Sequence, residues 1–177
     1  DGRVLQGRHG NIGELGHIQI EKEGKLCHCG NRGCLETVAS SQAIREQVKE
    51  RLANGEESTL TVFEDVTIEQ ICAAAAAGDP LAVEVIEQLG RYLGSAIAIV
   101  INLFNPEKIL VGGVINQAKS VLYPAIQKCI EEQSLSVYHQ DLELVESRFY
   151  KQATMPGAAL VKQALYDGQL LMKVIEG

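Results

Sequence analysis

Residues 14–36 read ELGHIQIEKEGKLCHCGNRGCLE and carry more reactive side chains than any other part of the sequence. His17, Cys27, Cys29 and Cys34 offer one imidazole and three thiolates, the ligand set of closed, tetrahedral zinc sites. Nine residues separate His17 from Cys27, which is enough for a short strand and a turn that bring the chain back on itself. The stretch therefore predicts a structural Zn²⁺ site in a knuckle built from loop over residues 14–36.

The spacing of the cysteines leaves two alternatives to zinc. Cys27 and Cys29 flank one residue, whereas the usual zinc pairs flank two, so a disulfide or scattered core thiols remain possible. A disulfide between these two residues would be strained, and five cysteines would leave one unpaired. Gly30 and Gly33 favour zinc, because they let the backbone curl until Cys34 closes the tetrahedron. His28 has a ligand on each side, so its ring is expected to point away.

Composition excludes several classes of function. A chain of 177 residues forms one domain or two small lobes and can bury about 70% of its unfolded surface. A net charge of −7 argues against a phosphate-binding surface on this segment. The longest apolar run, Tyr92 to Phe104, is too short to span a membrane. Cysteines bunched around a histidine suit a reducing compartment, so we expect a cytoplasmic chain with no membrane partner. A start at Asp1, without Met, suggests a fragment.

The first half of the chain predicts short strands and two helices. Arg3–Leu5 is a candidate edge strand, and residues 7–16 are rich in glycine. Ile18–Glu21 alternates apolar and polar residues, as a half-buried strand does. A helix is expected from Leu35 to about Ala53, with Glu36 in its first turn and Asn54-Gly55 at its end. After a loop or short strand at 56–64, Thr67 caps a helix over Ile68–Ala77.

The second half alternates helices and strands, which predicts the α/β class. Its expected elements are a helix over Leu81–Phe104 capped by Asp79, a strand over Lys108–Val111 that runs into Gly112-Gly113, a helix over Gln117–Gln133, a strand over Leu142–Glu146, a helix over Met155–Tyr166 and an apolar tail over 170–175. Gly90 and Gly94 lie four residues apart in the long helix, which predicts close packing against another backbone. Cys72 and Cys129 lie on apolar helix stripes and are expected in the core.

Four segments together resemble one protein family. GELGH at 13–17, CHCGNRGCLE at 27–36, INLFNPEKILVGG at 101–113 and PGAALVKQALYDGQLL at 156–171 resemble the ROK family of bacterial repressors and sugar kinases. The resemblance covers essentially the whole chain as the C-terminal portion of a member. It implies the actin-like ATPase fold with an inserted zinc knuckle.

The resemblance also assigns roles to side chains of the knuckle. It implies that His17, Cys27, Cys29 and Cys34 bind a structural zinc ion. The carboxylates of Glu14 and Glu36 would then hydrogen-bond sugar hydroxyls, and His17 would turn its other ring nitrogen toward the sugar. Without the resemblance, isolated carboxylates such as these would be read as solvated loop residues.

Within the family, the string GRHGNIGELGHIQIEKEGKLCHCGN at 7–31 is most similar to repressors of amino-sugar utilisation. That likeness implies the effector-binding and dimerisation part of a repressor, released from DNA by N-acetylglucosamine 6-phosphate or a related sugar. The partners would be a second copy in a homodimer or tetramer, and operator DNA held only by an N-terminal domain outside these 177 residues. A glucose-responsive repressor of the family is an alternative.

An ATP-dependent sugar kinase is the competing class. Gly112-Gly113 match the nucleotide loop of the family's kinases, but those enzymes tend to carry a third glycine where Val114 stands. A β-branched residue resists the positive φ angles that glycine allows. We therefore expect no catalytic residues and no enzymatic activity. The family's sugar-contacting Asn-Asp pair and its catalytic aspartate would lie before Asp1.

Overall fold

The computed structural model describes residues 4, 5, 7–9, 11–147, 149, 154–166, 168 and 175. The described α-helices are α1 (Glu36–Ala39), α2 (Ser41–Ala53), α3 (Ile68–Ala76), α4 (Pro80–Phe104), α5 (Lys119–Gln133), α6 (Ser136–His139) and α7 (Thr154–Tyr166). The strands are β1 (Lys108–Val111) and β2 (Glu143–Glu146), and three short 3₁₀ helices cover Leu15–His17, Thr59–Val62 and Val114–Ala118. The predicted α/β class is confirmed.

Helices α3 and α4 begin where the sequence places their caps. The Thr67 hydroxyl accepts a hydrogen bond from the Gln70 amide, and the Gln70 side chain accepts one from the Thr67 amide. This capping box satisfies two amides that the first turn leaves unpaired. Pro80 occupies the first turn of α4, and Asn105 ends that helix in the left-handed region at φ 43°. Both predicted helix starts are confirmed.

The prediction of a single helix over 35–53 is wrong, because the helix is interrupted at Ser40. Ser40 is extended, with φ −70° and ψ 155°, and its hydroxyl accepts a hydrogen bond from the Ala43 amide at 3.2 Å. Serine competes with helical backbone for hydrogen bonds and so favours cap positions. The result is a one-turn helix, α1, followed by α2, whose predicted end at Asn54 is confirmed.

The strands expected near the N-terminus are also corrected. Val4 and Leu5 lie in no strand, and Arg3 is outside the described residues. Ile18–Glu21 makes one isolated bridge, from Gln19 to Cys34, instead of a ladder. A ladder cannot continue there because the Gly33 carbonyl accepts hydrogen bonds from both the Ile20 and Glu21 amides. Most of the apolar tail predicted at 170–175 falls outside the described residues.

Strands β1 and β2 pair in parallel, with Ile109 opposite Leu144 and Leu110 opposite Val145. They are connected through the 3₁₀ helix at 114–118 and helices α5 and α6. The helix predicted from Gln117 therefore begins as 3₁₀ turns, and α6 was not predicted. No helix in the described part of the chain is long and apolar enough to cross a membrane.

Helix α4 lies at the centre of the core, between α3 and α5. Ile86, Leu89 and Ile101 of this helix are at most 2% exposed, and Cys72 and Cys129 are buried as predicted. A Cβ added at Gly90 would lie 2.6 Å from the Ala125 Cβ. The two helix backbones therefore approach more closely than a side chain allows, as the glycine spacing predicted.

The side chain of Asp79 joins the start of α4 to the loop before the second 3₁₀ helix. Its carboxylate accepts hydrogen bonds from the Ala82 amide at 3.0 Å, the Thr59 amide at 2.7 Å and the Ser58 hydroxyl at 3.0 Å. Burial raises the pKa of Asp79, but these hydrogen bonds outweigh it and hold the pKa below its usual range. The ionised form therefore stabilises the fold.

We expect Gly94→Ala to destabilise the chain by about 1–3 kcal/mol, because overpacking strains a closely packed core. The added Cβ would lie 2.5 Å from the Cys129 Cβ and 2.9 Å from the Ile126 carbonyl oxygen. Urea unfolding followed by circular dichroism measures the loss. Gly157→Ala in α7 is the control, since its Cβ meets no described atom within 4 Å and removes a helix-interior glycine. Equal stability of Gly94→Ala and wild type would contradict the close contact.

We expect Asp79→Ala to cost about 2 kcal/mol or more at pH 7, because it removes a helix cap and leaves buried donors unpaired. The folded-state pKa of Asp79 lies below its unfolded value of about 3.9, so its contribution is present above about pH 4. It disappears as the pH falls through the folded-state pKa. The difference between wild type and variant should therefore shrink on acidification, measured by urea unfolding at pH 7 and pH 3. The exposed Asp141→Ala is the control.

Candidate metal centre and effector site

A 3₁₀ turn at Leu15–His17 sets the side chains of Glu14 and His17. The His17 amide donates to the Glu14 carbonyl at 3.0 Å, so the two side chains are one short turn apart. The two ring nitrogens of His17 face different groups. Nδ1 lies 3.7 Å from the Cys27 Sγ, and Nε2 lies 4.0 Å from a carboxylate oxygen of Glu14. The imidazole therefore connects a thiol cluster to a carboxylate.

Gly33 brings the third cysteine into the same place. Its φ is 70°, and a Cβ at this position would overlap the carbonyl oxygen of Glu21. Only glycine fits both the angle and the space. The crossing of these two backbone segments sets Cys34 beside His17, where its thiol donates to the His17 carbonyl at 3.6 Å. Residues 27–30 close the other end of the knuckle with a turn from the Gly30 amide to the Cys27 carbonyl.

The four predicted metal ligands meet. One ligand atom from each of His17, Cys27, Cys29 and Cys34 lies within 4.8 Å of all the others. The Cys29 and Cys34 sulfurs are 3.6 Å apart, and all five cysteines are free thiols, so the disulfide alternative is not realised. In a tetrahedral site with metal–sulfur bonds of about 2.3 Å, sulfurs are about 3.8 Å apart. The cluster already has the spacing that a tetrahedral metal ion requires.

The electrostatics of the cluster also suit a cation. The Asn31 amide, as the main cause, lowers the pKa of the exposed Cys29 thiol. Burial raises the pKa of Cys34 to about 12, and hydrogen bonds to Cys29 and Cys27 add to the effect. Three thiolates this close repel one another unless a positive charge lies between them. A divalent cation at the centre would supply that charge and displace the thiol protons.

Glu14 and Glu36 lie on the solvent side of the thiol cluster. Glu36 lies in the first turn of α1, as predicted, and one of its carboxylate oxygens is 3.6 Å from the His17 Nδ1. The side chain of Glu14 is 71% exposed and that of Glu36 is 41% exposed. The three residues that the resemblance assigns to sugar recognition therefore lie together, with polar atoms open to solvent.

The expectation that His28 points away from the site is wrong. Its Nδ1 lies 3.4 Å from a Glu36 carboxylate oxygen and 3.9 Å from the Cys27 Sγ. Its ring also packs edge-on against the His17 ring, with centroids 5.1 Å apart. Side chains alternate in a strand, but residues 27–30 form a turn, where neighbouring side chains can share a side.

Two further polar contacts were not predicted. The Tyr92 hydroxyl of α4 donates to the Glu21 carboxylate, which ties the knuckle to the central helix. After β1, the buried Asn116 donates its side-chain amide to the Val111 and Gly113 carbonyls and accepts from the Tyr123 hydroxyl. Glu21 and Tyr92 are far apart in sequence, so no local motif indicates their contact. Asn116 lies close to its partners in sequence, but a single asparagine after a strand is too common to indicate a particular role.

Comparison with known proteins gives the family. The family model described as "ROK family" matches residues 1–164, well over half of the chain. The chain belongs to the ROK family. Its fold is accordingly that of the ROK repressors and sugar kinases, as the sequence motifs predicted.

ROK repressors are among the proteins most similar to this chain. The DNA-binding transcriptional dual regulator NagC of Escherichia coli K12 is 48% identical over 176 residues, which cover 99% of this chain and 43% of that protein. The DNA-binding transcriptional repressor Mlc of the same strain is 41% identical over 177 residues, covering 100% of this chain and 43% of that protein. This ROK chain thus spans less than half the length of these curated relatives.

A solved ROK structure matches more closely still. The crystal structure of a ROK family transcriptional regulator, described as a homolog of the E. coli Mlc protein, is 80% identical with a TM-score of 0.94. The match covers 100% of this chain and 45% of that one. Glucokinases, one of them described as a ROK family enzyme, are also similar to the chain, at lower identity.

Proposed function

We propose that this ROK chain is the effector-binding and dimerisation part of a transcriptional repressor of amino-sugar utilisation. The observation that carries the proposal is the meeting of Glu14, His17 and Glu36 on the solvent side of the thiol cluster. The similarity to proteins named N-acetylglucosamine repressor, also 48% identical, supports N-acetylglucosamine 6-phosphate, or a related sugar, as the effector. The proposed protein is cytoplasmic and makes no membrane contact.

We further propose that the metal held by His17, Cys27, Cys29 and Cys34 is a structural Zn²⁺. Three thiolates and one imidazole are ligands that favour zinc over the oxygen-seeking Mg²⁺ and Ca²⁺. When bound, the ion supplies a fixed positive charge that holds the knuckle closed. Because all four ligand positions come from protein, it leaves no open position for catalysis.

In this proposal the sugar is recognised by the chain's own polar atoms. The carboxylates of Glu14 and Glu36 accept hydrogen bonds from sugar hydroxyls, and such charge-assisted bonds are stronger than neutral ones. With Nδ1 of His17 turned to the thiol cluster, Nε2 faces the Glu14 carboxylate, and the two groups can contact the sugar together. The knuckle thus fixes the direction of a recognition group.

Release from DNA is proposed to be a population shift. An effector bound between two lobes favours one angle between them, and through a homodimer or tetramer that angle changes the spacing of two DNA-reading domains. The operator is held only by the N-terminal domains of the full-length protein. The effector acts solely through its different affinities for the two states.

The kinase alternative is weakened by the loop after β1. Val114 starts a 3₁₀ helix immediately after Gly113 and packs against the core. Asn116 holds the loop through hydrogen bonds to the Val111 and Gly113 carbonyls, at 2.9 and 3.1 Å. A branched side chain anchored in the core limits the approach of a nucleotide to this backbone. We therefore propose a regulator without enzymatic activity.

A glucose-responsive repressor is the second candidate. It is favoured by the 80% identical structure, which is described as a homolog of Mlc. Against it, identity to NagC is higher than identity to Mlc, at 48% and 41%. Calorimetric titration of the full-length protein with N-acetylglucosamine 6-phosphate and with glucose distinguishes the two.

The first expected result is one tightly bound zinc ion per purified protein molecule. Zinc at such a site contributes on the order of 10 kcal/mol of apparent binding free energy at neutral pH, so Cys34→Ser should lose the metal and weaken the fold. Binding should release protons and strengthen as the pH rises, because burial raises the pKa of Cys34 to about 12. Elemental analysis counts the ion. Cys72→Ala, in the core away from the knuckle, is the control and should keep it.

We expect Glu36→Gln in the full-length protein to weaken effector binding roughly ten- to hundredfold, since a charge-assisted hydrogen bond contributes about 1.5–3 kcal/mol. Occupancy of the four-ligand zinc site and DNA binding without effector should stay unchanged. Calorimetry with N-acetylglucosamine 6-phosphate measures the loss, and the exposed Glu23→Gln controls for the charge change. Wild-type affinity in Glu36→Gln would show that this carboxylate does not hold the sugar.

We also expect no sugar kinase turnover from the full-length protein. A coupled assay with ATP and either N-acetylglucosamine or glucose is the measurement. Turnover in the ordinary enzyme range of about 1–1000 per second would favour a sugar kinase over a repressor.

A further inference from the structure

The knuckle contains more metal-ligating atoms than one tetrahedral ion uses. Beyond the four ligands already described, His28 and Glu36 extend the cluster toward solvent. His17, His28 and Glu36 form a second group whose ligand atoms all lie within 4.8 Å of one another. Two donors, His28 Nδ1 and a Glu36 carboxylate oxygen, therefore remain after the thiolate site is filled.

These two donors converge with Cys27. The His28 Nδ1 and the Glu36 Oε2 are 3.4 Å apart, and each lies 3.9 Å from the Cys27 Sγ. With metal–nitrogen and metal–oxygen bonds of about 2.1 Å, tetrahedral edges are about 3.4 Å between nitrogen and oxygen and about 3.6 Å to sulfur. The observed spacing matches the first edge and exceeds the second by a few tenths of an ångström. Small side-chain shifts close the site.

Charge favours a second cation at this position. A divalent ion with three thiolates has a net charge of −1, and the Glu36 carboxylate beside it brings the sum to −2. A second divalent cation neutralises that excess. There is also room for it, because a cavity of about 240 Å³ lies beside Cys27, His28 and Glu36. The side chain of His28 is 71% exposed, so the position is open to solvent.

We propose that the knuckle binds a second divalent transition-metal ion through His28, Glu36 and a bridging Cys27 thiolate, with its remaining position open to water. Imidazole, carboxylate and thiolate together suit Zn²⁺ or Co²⁺ better than Mg²⁺ or Ca²⁺. Three protein ligands and an open position make this ion weaker and more exchangeable than the one in the four-ligand site.

The second ion competes with the effector. It engages the Glu36 carboxylate, which the proposed function gives to the sugar, so the inference rests on that function. Excess metal therefore lowers effector affinity and keeps the repressor on DNA. The site makes the response to the sugar depend on the level of exchangeable divalent metal.

The test uses the full-length protein, stripped of metal and titrated with Co²⁺, whose visible absorption reports thiolate coordination. Wild type should take up two equivalents with distinct spectra, whereas His28→Ala should stop at one. His139→Ala removes a histidine at the end of α6, away from the knuckle, where its Nδ1 is 2.8 Å from the Ser134 hydroxyl, and this variant should still bind two. Calorimetry with N-acetylglucosamine 6-phosphate then compares the protein at one and two equivalents. The second equivalent should weaken binding roughly tenfold or more in wild type and leave His28→Ala unchanged.

The outcomes separate this inference from the function it rests on. Saturation of wild type at one thiolate-bound ion overturns the second site and leaves the proposed structural site intact. Two equivalents in His28→Ala overturn the assignment of the ligand. A bound second ion that does not change effector affinity overturns the competition. Absence of any thiolate-bound cobalt refutes the structural site and this inference together.

Discussion

The contact between the backbones of α4 and α5 is the constraint on which the rest of the structure depends. At Gly90 and Gly94 of α4, atoms of α5 fill the space that a Cβ would need. Tyr92 lies between these glycines in sequence and reaches the Glu21 carboxylate of the knuckle. The position of α4 against α5 therefore sets where the knuckle is anchored. A shift of the helix would therefore move the knuckle as well.

Elements defined by local hydrogen bonds could be predicted from the sequence. Thr67, Asp79 and Pro80 mark helix starts because their side chains or rings satisfy or replace unpaired amides of a first turn. The break at Ser40 was not predicted from its capping residue, since the apolar spacing of the surrounding residues continues across it. Periodicity records which side of a helix is buried, and it does not record whether the backbone is continuous. The small helix α6 carries no cap or pattern of its own.

The candidate site likewise has a part that the sequence predicts and a part that it does not. The four predicted thiol and imidazole ligands follow from ligand chemistry, because few other arrangements explain three cysteines and two histidines within eighteen residues. The role given to Glu14 and Glu36 came from family resemblance, and the structure adds only their proximity to His17. The predicted orientation of His28 was wrong because it assumed that side chains alternate from side to side, as in a strand, whereas residues 27–30 form a turn. Asn116 and Tyr92 act through contacts that only the folded chain brings together.

The two-stranded sheet has a consequence for handling the protein. In the described part of the chain, β1 pairs with β2 alone, so each strand leaves one row of backbone groups without a strand partner. Leu110 of β1 is also 64% exposed. Open strand edges bearing apolar side chains template aggregation when nothing covers them, and two strands alone are marginally stable. The solubility of the protein therefore depends on what covers those edges, whether another part of the same protein or a neighbouring copy.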